Sequence, residues 1–304
     1  MLLWFLVAVP VHAGDLLLIA TWNVRNLGHT SPEADVLARA AVVQEFDIVA
    51  LQEVNSERAL LRLVEALNNL GDGEPGSSCW EHRISHASGD SGNATYHYAF
   101  VYRTDSVAYI EGSEDHYGGH TGSSFCHNPF WASFRANGFD FTLIAVHIKP
   151  NGSATEKNTE CAQLAAVWQH VQDQDPLVND LLLLGDFNVD QPTHPAFGSL
   201  RQLGLTPVVD SSQTRTTYGD TEDGGSFYDN LWIDQSHTAD DLTEQFGTGT
   251  PLENTMGRGC SEVLRGVSDH CPVWAAFSTL QDEDPRPAGV GDVSAGRSTA
   301  RLAT

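Results

Sequence analysis

Lysine is almost missing from this 304-residue chain: Lys149 and Lys157 are the only two, and 16 Lys+Arg face 40 Asp+Glu, for a formal net charge of −24. Such a surface repels polyanions at low salt, so a broad basic footprint for nucleic acid is excluded. One reading of this acidity is a solubility adaptation; the other is that an anionic substrate must be held by metal ions or a few local arginines. No apolar run reaches the roughly 18 residues that suggest a membrane-spanning helix. CxxC pairs are absent as well. Cys79, Cys126, Cys161, Cys260 and Cys271 are scattered and do not read as a zinc site. In an exported protein some would pair as disulfides, with one left over, although Cys271 also suits a small buried residue in an apolar strand. No internal repeat of fixed period occurs. What is present, 41% hydrophobic residues and 7 Trp, suffices for a packed core and excludes wholesale disorder.

Residues 1–13, MLLWFLVAVPVHA, read as a signal peptide: Leu2 to Val11 is a signal-length apolar core, and Val11-His12-Ala13 fits a small-x-small cleavage site. The basic n-region is missing, and the run also suits a buried first strand. Export is the expectation, giving a mature domain over 14–279. From residue 280 to 304 the composition of Asp, Pro, Gly, Ser and Arg predicts a disordered tail.

Between these ends, apolar β-rich runs predict strands at 16–24, 47–54, 180–185, 228–233 and 272–277. The spacing predicts helices after a Ser31 N-cap with Pro32 at N1, over 57–70, and through Cys161, Leu164, Trp168 and Val171. Hairpins are expected at 98–110 around Thr104-Asp105, and at 130–148 around Asn137-Gly138. Residues 71–97 and 111–128 read as long polar loops.

Strand ends carry the chemistry. TWNVRN holds Asn23, LQEV holds Glu53, AVHIKP holds His147, LGDFNVD holds Asp186 and Asn188, FYDNLW holds Asp229, and SDHCPV holds Asp269 and His270. Each residue has an ordinary use when taken singly: a turn at Asn23 or Asp186, a helix cap at Glu53, a satisfied core histidine at His147. Burying such groups costs on the order of several kcal/mol each unless they are paired. Clusters at so many strand ends suggest one convergent site.

In this order the motifs resemble the endonuclease/exonuclease/phosphatase superfamily, and within it the secreted deoxyribonuclease I group. Gly185-Asp186-Phe187-Asn188 with Ser268-Asp269-His270 is specific in combination, and the likeness spans roughly residues 15–279. The resemblance implies an α/β four-layer α/β/β/α sandwich: two mixed β-sheets packed face to face, with helices outside. It also implies that Glu53, Asn23 and Asp269 hold Mg²⁺ or Mn²⁺. Asp186 and Asn188 would position the water and the phosphate, His147 and His270 would share general acid and base work, and Asp229 would orient His270. Calcium on acidic loops is a further possibility.

The chain departs from that group in two places. His127 stands where an arginine usually clamps the phosphate. Ala94-Thr95-Tyr96-His97 offers no carboxylate for His147, which therefore lacks its partner or takes one from a loop such as 111–118. The tyrosine-bearing loop of apurinic-site repair enzymes and the arginine segment of inositol-polyphosphate phosphatases are also absent. The expectation is a secreted, metal-dependent endonuclease acting on DNA as a monomer without a membrane anchor. The alternatives are an exported phosphoesterase for phospholipid headgroups (sphingomyelinase-like) or small phosphates, and a non-catalytic binding protein with the same fold. Paired imidazoles argue against the last.

Overall fold

Successive apolar residues fill the first strand, β1 (Leu16–Leu27), because both of its faces are covered. Leu17 and Ile19 enter one buried cluster, and Ala20 and Trp22 another. The structure is a computed structural model that describes residues 15–70, 79–89, 95–118, 125–175, 178–210, 215–218, 225–251 and 267–280. The expected signal segment 1–13 and the tail after Leu280 lie outside the described residues.

Two mixed sheets form the interior. The first has six strands, in the order β12 (Leu242–Thr248), β13 (Val273–Ser278), β1, β2 (Ile48–Val54), β4 (His97–Arg103) and β3 (Trp80–Ile84). The second has seven: β10 (Leu205–Pro207), β11 (Asp229–Asp234), β9 (Leu181–Asp186), β8 (Phe139–His147), β7 (Phe130–Ala136) and β5 (Ala108–Tyr109), with β6 (Asp115–His116) also on β7. Only β1–β2 and β8–β9 run parallel among these pairs, so their polar C-terminal ends emerge side by side.

Burial completes the layers. Between the sheets lies an aromatic-rich core in which Phe100 stacks on Phe130 at 5.2 Å. Helices α1 (Glu33–Val43) and α2 (Glu57–Leu70) close the outer face of the first sheet through Val36, Ala40, Leu60 and Leu63. Helices α3 (Ala154–Gln174) and α4 (Gly198–Gln202) close the second through Cys161, Leu164, Trp168 and Leu200. A fifth helix, α5 (Thr238–Asp241), is a single turn. This is the four-layer α/β/β/α sandwich expected from the sequence.

Local expectations fared unevenly. The turn at Asn137 forms as expected, with φ +53°. The 98–110 hairpin does not: β4 joins the first sheet and β5 the second, so the chain crosses between layers there. The supposed loop 71–97 contains β3, an edge strand whose only fully buried residue is Trp80, too little apolar pattern to announce it. Pro32, not Ser31, occupies the α1 N-cap position, and the Ser31 hydroxyl accepts from the Gly28 N–H instead. Helix α3 starts earlier than its apolar pattern, at a capping box between Ser153 and Glu156. Cys79 and Cys161 carry free thiols. Cys271 is fully buried, as a small core residue would be.

Candidate active site

The polar strand ends meet at one edge of the sandwich. In the second sheet His147 of β8 and Asp229 of β11 both stand in register with Asp186 of β9. Gly185 makes that approach possible. Its φ is +148°, and a Cβ there would sit 1.9 Å from the Val146 carbonyl oxygen of β8. From the first sheet come Asn23, where the β1–β2 register shifts, and Glu53 near the end of β2, the latter with φ +61°. His270 precedes β13, held by its N–H to the Ser268 hydroxyl (3.1 Å) and by its carbonyl to Trp22 Nε1 (2.9 Å). The Ser268 hydroxyl donates in turn to the Asn23 carbonyl (2.7 Å), which locks the loop to β1.

Asp186 is the hub. Its Oδ2 accepts from Asn23 Nδ2 (3.1 Å) and lies 3.5 Å from His147 Nε2 and 3.7 Å from His270 Nε2. Its Oδ1 takes the Asn188 N–H (2.9 Å), an Asx-turn. The turn role and the site role therefore coexist in one carboxylate. Asn188 adopts φ +49° and donates its amide to the Ile148 carbonyl (2.9 Å), tying together the ends of β8 and β9.

The two imidazoles differ. His270 Nδ1 donates to Asp229 Oδ2 at 2.8 Å; the carboxylate is fully buried and the imidazole keeps an exposed edge. Burial opposes the charge on His270, but Asp229 and then Asp186 override it and raise the imidazole pKa. Burial also pushes Asp229 upward while the His270 charge pulls it back. The contact keeps the proton on the imidazole. His147 instead leaves Nε2 buried without a hydrogen bond, 3.9 Å from Glu53 Oε1.

Oxygen donors suited to a hard cation surround Glu53. Asn23 Nδ2 bonds Glu53 Oε1 (3.0 Å) as well as Asp186, so a single amide separates two carboxylates. Glu53 Oε2 accepts from the Asn26 N–H (3.1 Å), which aims the carboxylate rather than capping a helix. An oxygen-rich set with crowded negative charge fits Mg²⁺ or Mn²⁺ better than a soft metal. A buried Asp186–Asp229–His270 group also has metal-like spacing, but His270 Nδ1 is already committed to Asp229. Asp269 does not join this set: its side chain is half exposed and pairs with Arg25 at 3.7 Å.

His127 is buried with its ring stacked on His147 at 5.0 Å and 9°, and its Nδ1 contacts the Ser88 carbonyl (2.9 Å). The carboxylate expected from 111–118 does not arrive among the described residues. Glu111 and Glu114 face Arg83, and Asp115 contacts His116.

Two buried charges escape a reading of the sequence. Arg39 on α1 donates to the carbonyls of Val24 (2.9 Å) and Val267 (2.7 Å), next to Asn23 and Ser268. Glu160 on α3 accepts from the Cys126 (2.7 Å) and Lys149 (2.9 Å) N–H groups. The available signal is a charge on the core-facing stripe of each helix, beside Ala40 and Cys161.

Residues 20–270 match the family model described as the Endonuclease/Exonuclease/phosphatase family. A deoxyribonuclease of Thioalkalivibrio sp. is 29% identical, the match covering 96% of this chain and 79% of that one. Deoxyribonuclease-1 of Bos taurus is 26% identical over 86% of this chain and 92% of its own. Among solved structures, a mannosyl-6-phosphatase of Bacteroides thetaiotaomicron superposes with a TM-score of 0.56 at 21% identity, covering 86% of this chain and 99% of that one.

Proposed function

The chain belongs to the Endonuclease/Exonuclease/phosphatase family of hydrolases, and from that premise we propose that it is an exported, divalent-metal-dependent endonuclease that cleaves DNA phosphodiesters. The observation that carries this reading is the arrangement of His147 and His270, both directing Nε2 at the Asp186 carboxylate. A phosphodiester is anionic and resists attack. Its in-line hydrolysis needs an oriented water, neutralised nonbridging oxygens and a proton for the departing oxygen. Asp186 accepts from the water and orients it. His270, kept protonated by Asp229, supplies the proton. His147 presents its bare Nε2 to the phosphate, with His127 stacked behind it as the imidazole that replaces an arginine clamp. Asn188 fixes the strand ends between which the phosphate lies. A cation held by Glu53 and Asn23 would neutralise the nonbridging oxygens.

DNA as the substrate gains support from the deoxyribonucleases among the relatives and from the placement of Lys157, whose Nζ donates to the Asn188 carbonyl (3.0 Å). Lys149 Nζ is instead paired with Glu156 Oε1 (3.0 Å). Export rests on the 1–13 segment. The phosphatase among the structural neighbours keeps small phosphates as the second reading.

Incubation of the protein and Mg²⁺ with plasmid DNA, sphingomyelin and a phosphomonoester separates these readings. DNA nicking is expected, abolished by EDTA and reduced at least about 100-fold in His147→Ala and in His270→Ala. Full activity in chelator would remove the metal assignment, and activity unaffected by both substitutions would remove the site.

A further inference from the structure

Resting on that proposed reading, we infer that Tyr98 and Glu160 are positioning residues, a buried staple that holds the His127–His147 imidazole stack in place. The stack joins the two open ends of the β7–β8 hairpin, beyond its last paired residues Phe130 and Ala145: the stretch before β7 and the end of β8. Stacking alone contributes about 0.5–1.5 kcal/mol, too little to fix two rings on separate segments against their conformational entropy.

The backbone on both sides is pinned instead. Glu160 Oε1 takes the Cys126 N–H, one residue before His127, and Glu160 Oε2 takes the Lys149 N–H, two residues after His147. One carboxylate thus spans both segments with one oxygen each. On the inner side of the second sheet, the buried Tyr98 hydroxyl donates to the His127 carbonyl (3.3 Å) and lies against the His147 backbone. Tyr98 therefore bridges the same two residues from β4, in the opposite sheet. Burial and the Glu160 charge both hold the Tyr98 proton in place, so the hydroxyl remains a donor. A buried carboxylate in a helix is costly unless satisfied. Here backbone groups beside the site satisfy each of its oxygens.

This accounts for how the His147 ring is held without a carboxylate hydrogen-bonded to its Nε2 among the described residues. Its ring is oriented by a stacked neighbour whose backbone is stapled to its own, rather than by a side-chain acid on the imidazole. Neither Tyr98 nor Glu160 touches the reacting atoms, so both act through the two histidines.

Tyr98→Phe removes only the hydroxyl, and Glu160→Gln keeps one acceptor oxygen. Each variant is assayed for kcat and KM on plasmid DNA with Mg²⁺, for thermal stability, and for the imidazole proton resonances of His127 and His147 by NMR. Leu164→Ala, in the same helix and packed in the core away from the site, is the control for general loss of stability. The expected result is a kcat about tenfold lower with KM nearly unchanged in Tyr98→Phe and Glu160→Gln, with displaced His127 and His147 resonances. Leu164→Ala should lose stability with kcat retained. Glu160→Asp, which keeps both acceptors, should recover part of the kcat. The inference is overturned if kcat in the two variants merely follows stability as in Leu164→Ala, or if the resonances stay in place. A wild-type protein inactive on DNA, or a fully active His147→Ala, would instead overturn the nuclease reading.

Discussion

At the scale of single residues, the His270–Asp229 pair sets the proton economy of the site. Because Asp229 is the largest of the charges that raise the His270 pKa, the imidazolium persists through neutral pH. As general acid it is active while protonated, so the alkaline limb of kcat/KM lies above pH 7. Asp229→Asn removes that charge and leaves the weaker pulls of Asp186 and Asp269. The alkaline limb then moves toward lower pH, and kcat/KM at pH 8 falls by a larger factor than at pH 6. A pH–rate profile checks this, and a limb that stays in place would show that His270 is not the acid. The stability linkage has the same sign. A folded-state pKa above the unfolded value of about 6.5 stabilises the fold fully below that value, and the contribution is lost as pH rises through the folded pKa.

At the scale of elements, what is legible in the sequence and what is not divide along physical lines. The strand-end polar residues are readable because a polar residue closing an apolar run is expensive to bury unless something pairs with it, and Asn23, Glu53, His147, Asp186, Asp229 and His270 do converge. Asp269 shares the motif with His270, but it lies in the bend before β13, and its side chain faces Arg25 and solvent. The crossing from β4 to β5 is hidden because a turn between two apolar runs looks alike whether they pair or enter different sheets. Arg39 and Glu160 are hidden because their partners are backbone groups distant in sequence, which no local pattern encodes. Helix α1 supplies a test. Arg39→Met keeps the apolar stem but orphans the carbonyls of Val24 and Val267, at about 1–3 kcal/mol for each buried group left unmade. Urea unfolding should show that loss. The Mg²⁺ concentration for half-maximal nicking should also rise, since Asn23 and Ser268 lie next to the released carbonyls. Unchanged metal dependence alongside the expected destabilisation would confine Arg39 to a structural role.

At the scale of the whole molecule, the charge of −24 opposes the polyanion that the site is proposed to cleave. Only local features favour DNA: a cation at Glu53, Lys157 beside the end of β9, and the protonated His270. These act at contact, whereas the repulsion acts over a screening length that falls from about 30 Å at 0.01 M salt to about 10 Å at 0.1 M. Moderate salt should therefore remove more repulsion than attraction. Initial nicking rates at fixed saturating Mg²⁺ are expected to rise several-fold between these two salt concentrations, the reverse of the fall seen when a basic surface binds DNA through counterion release. Hydrolysis of a zwitterionic headgroup, which carries no net charge to repel, should stay flat over the same range. Lys157→Met should steepen the dependence on salt for DNA by weakening one of the few contact attractions and leaving the long-range field nearly intact. A monotonic fall of nicking with salt from 0.01 M upward would mean that attraction outweighs the net charge even at long range. The acidic surface would then have no bearing on how substrate reaches the site.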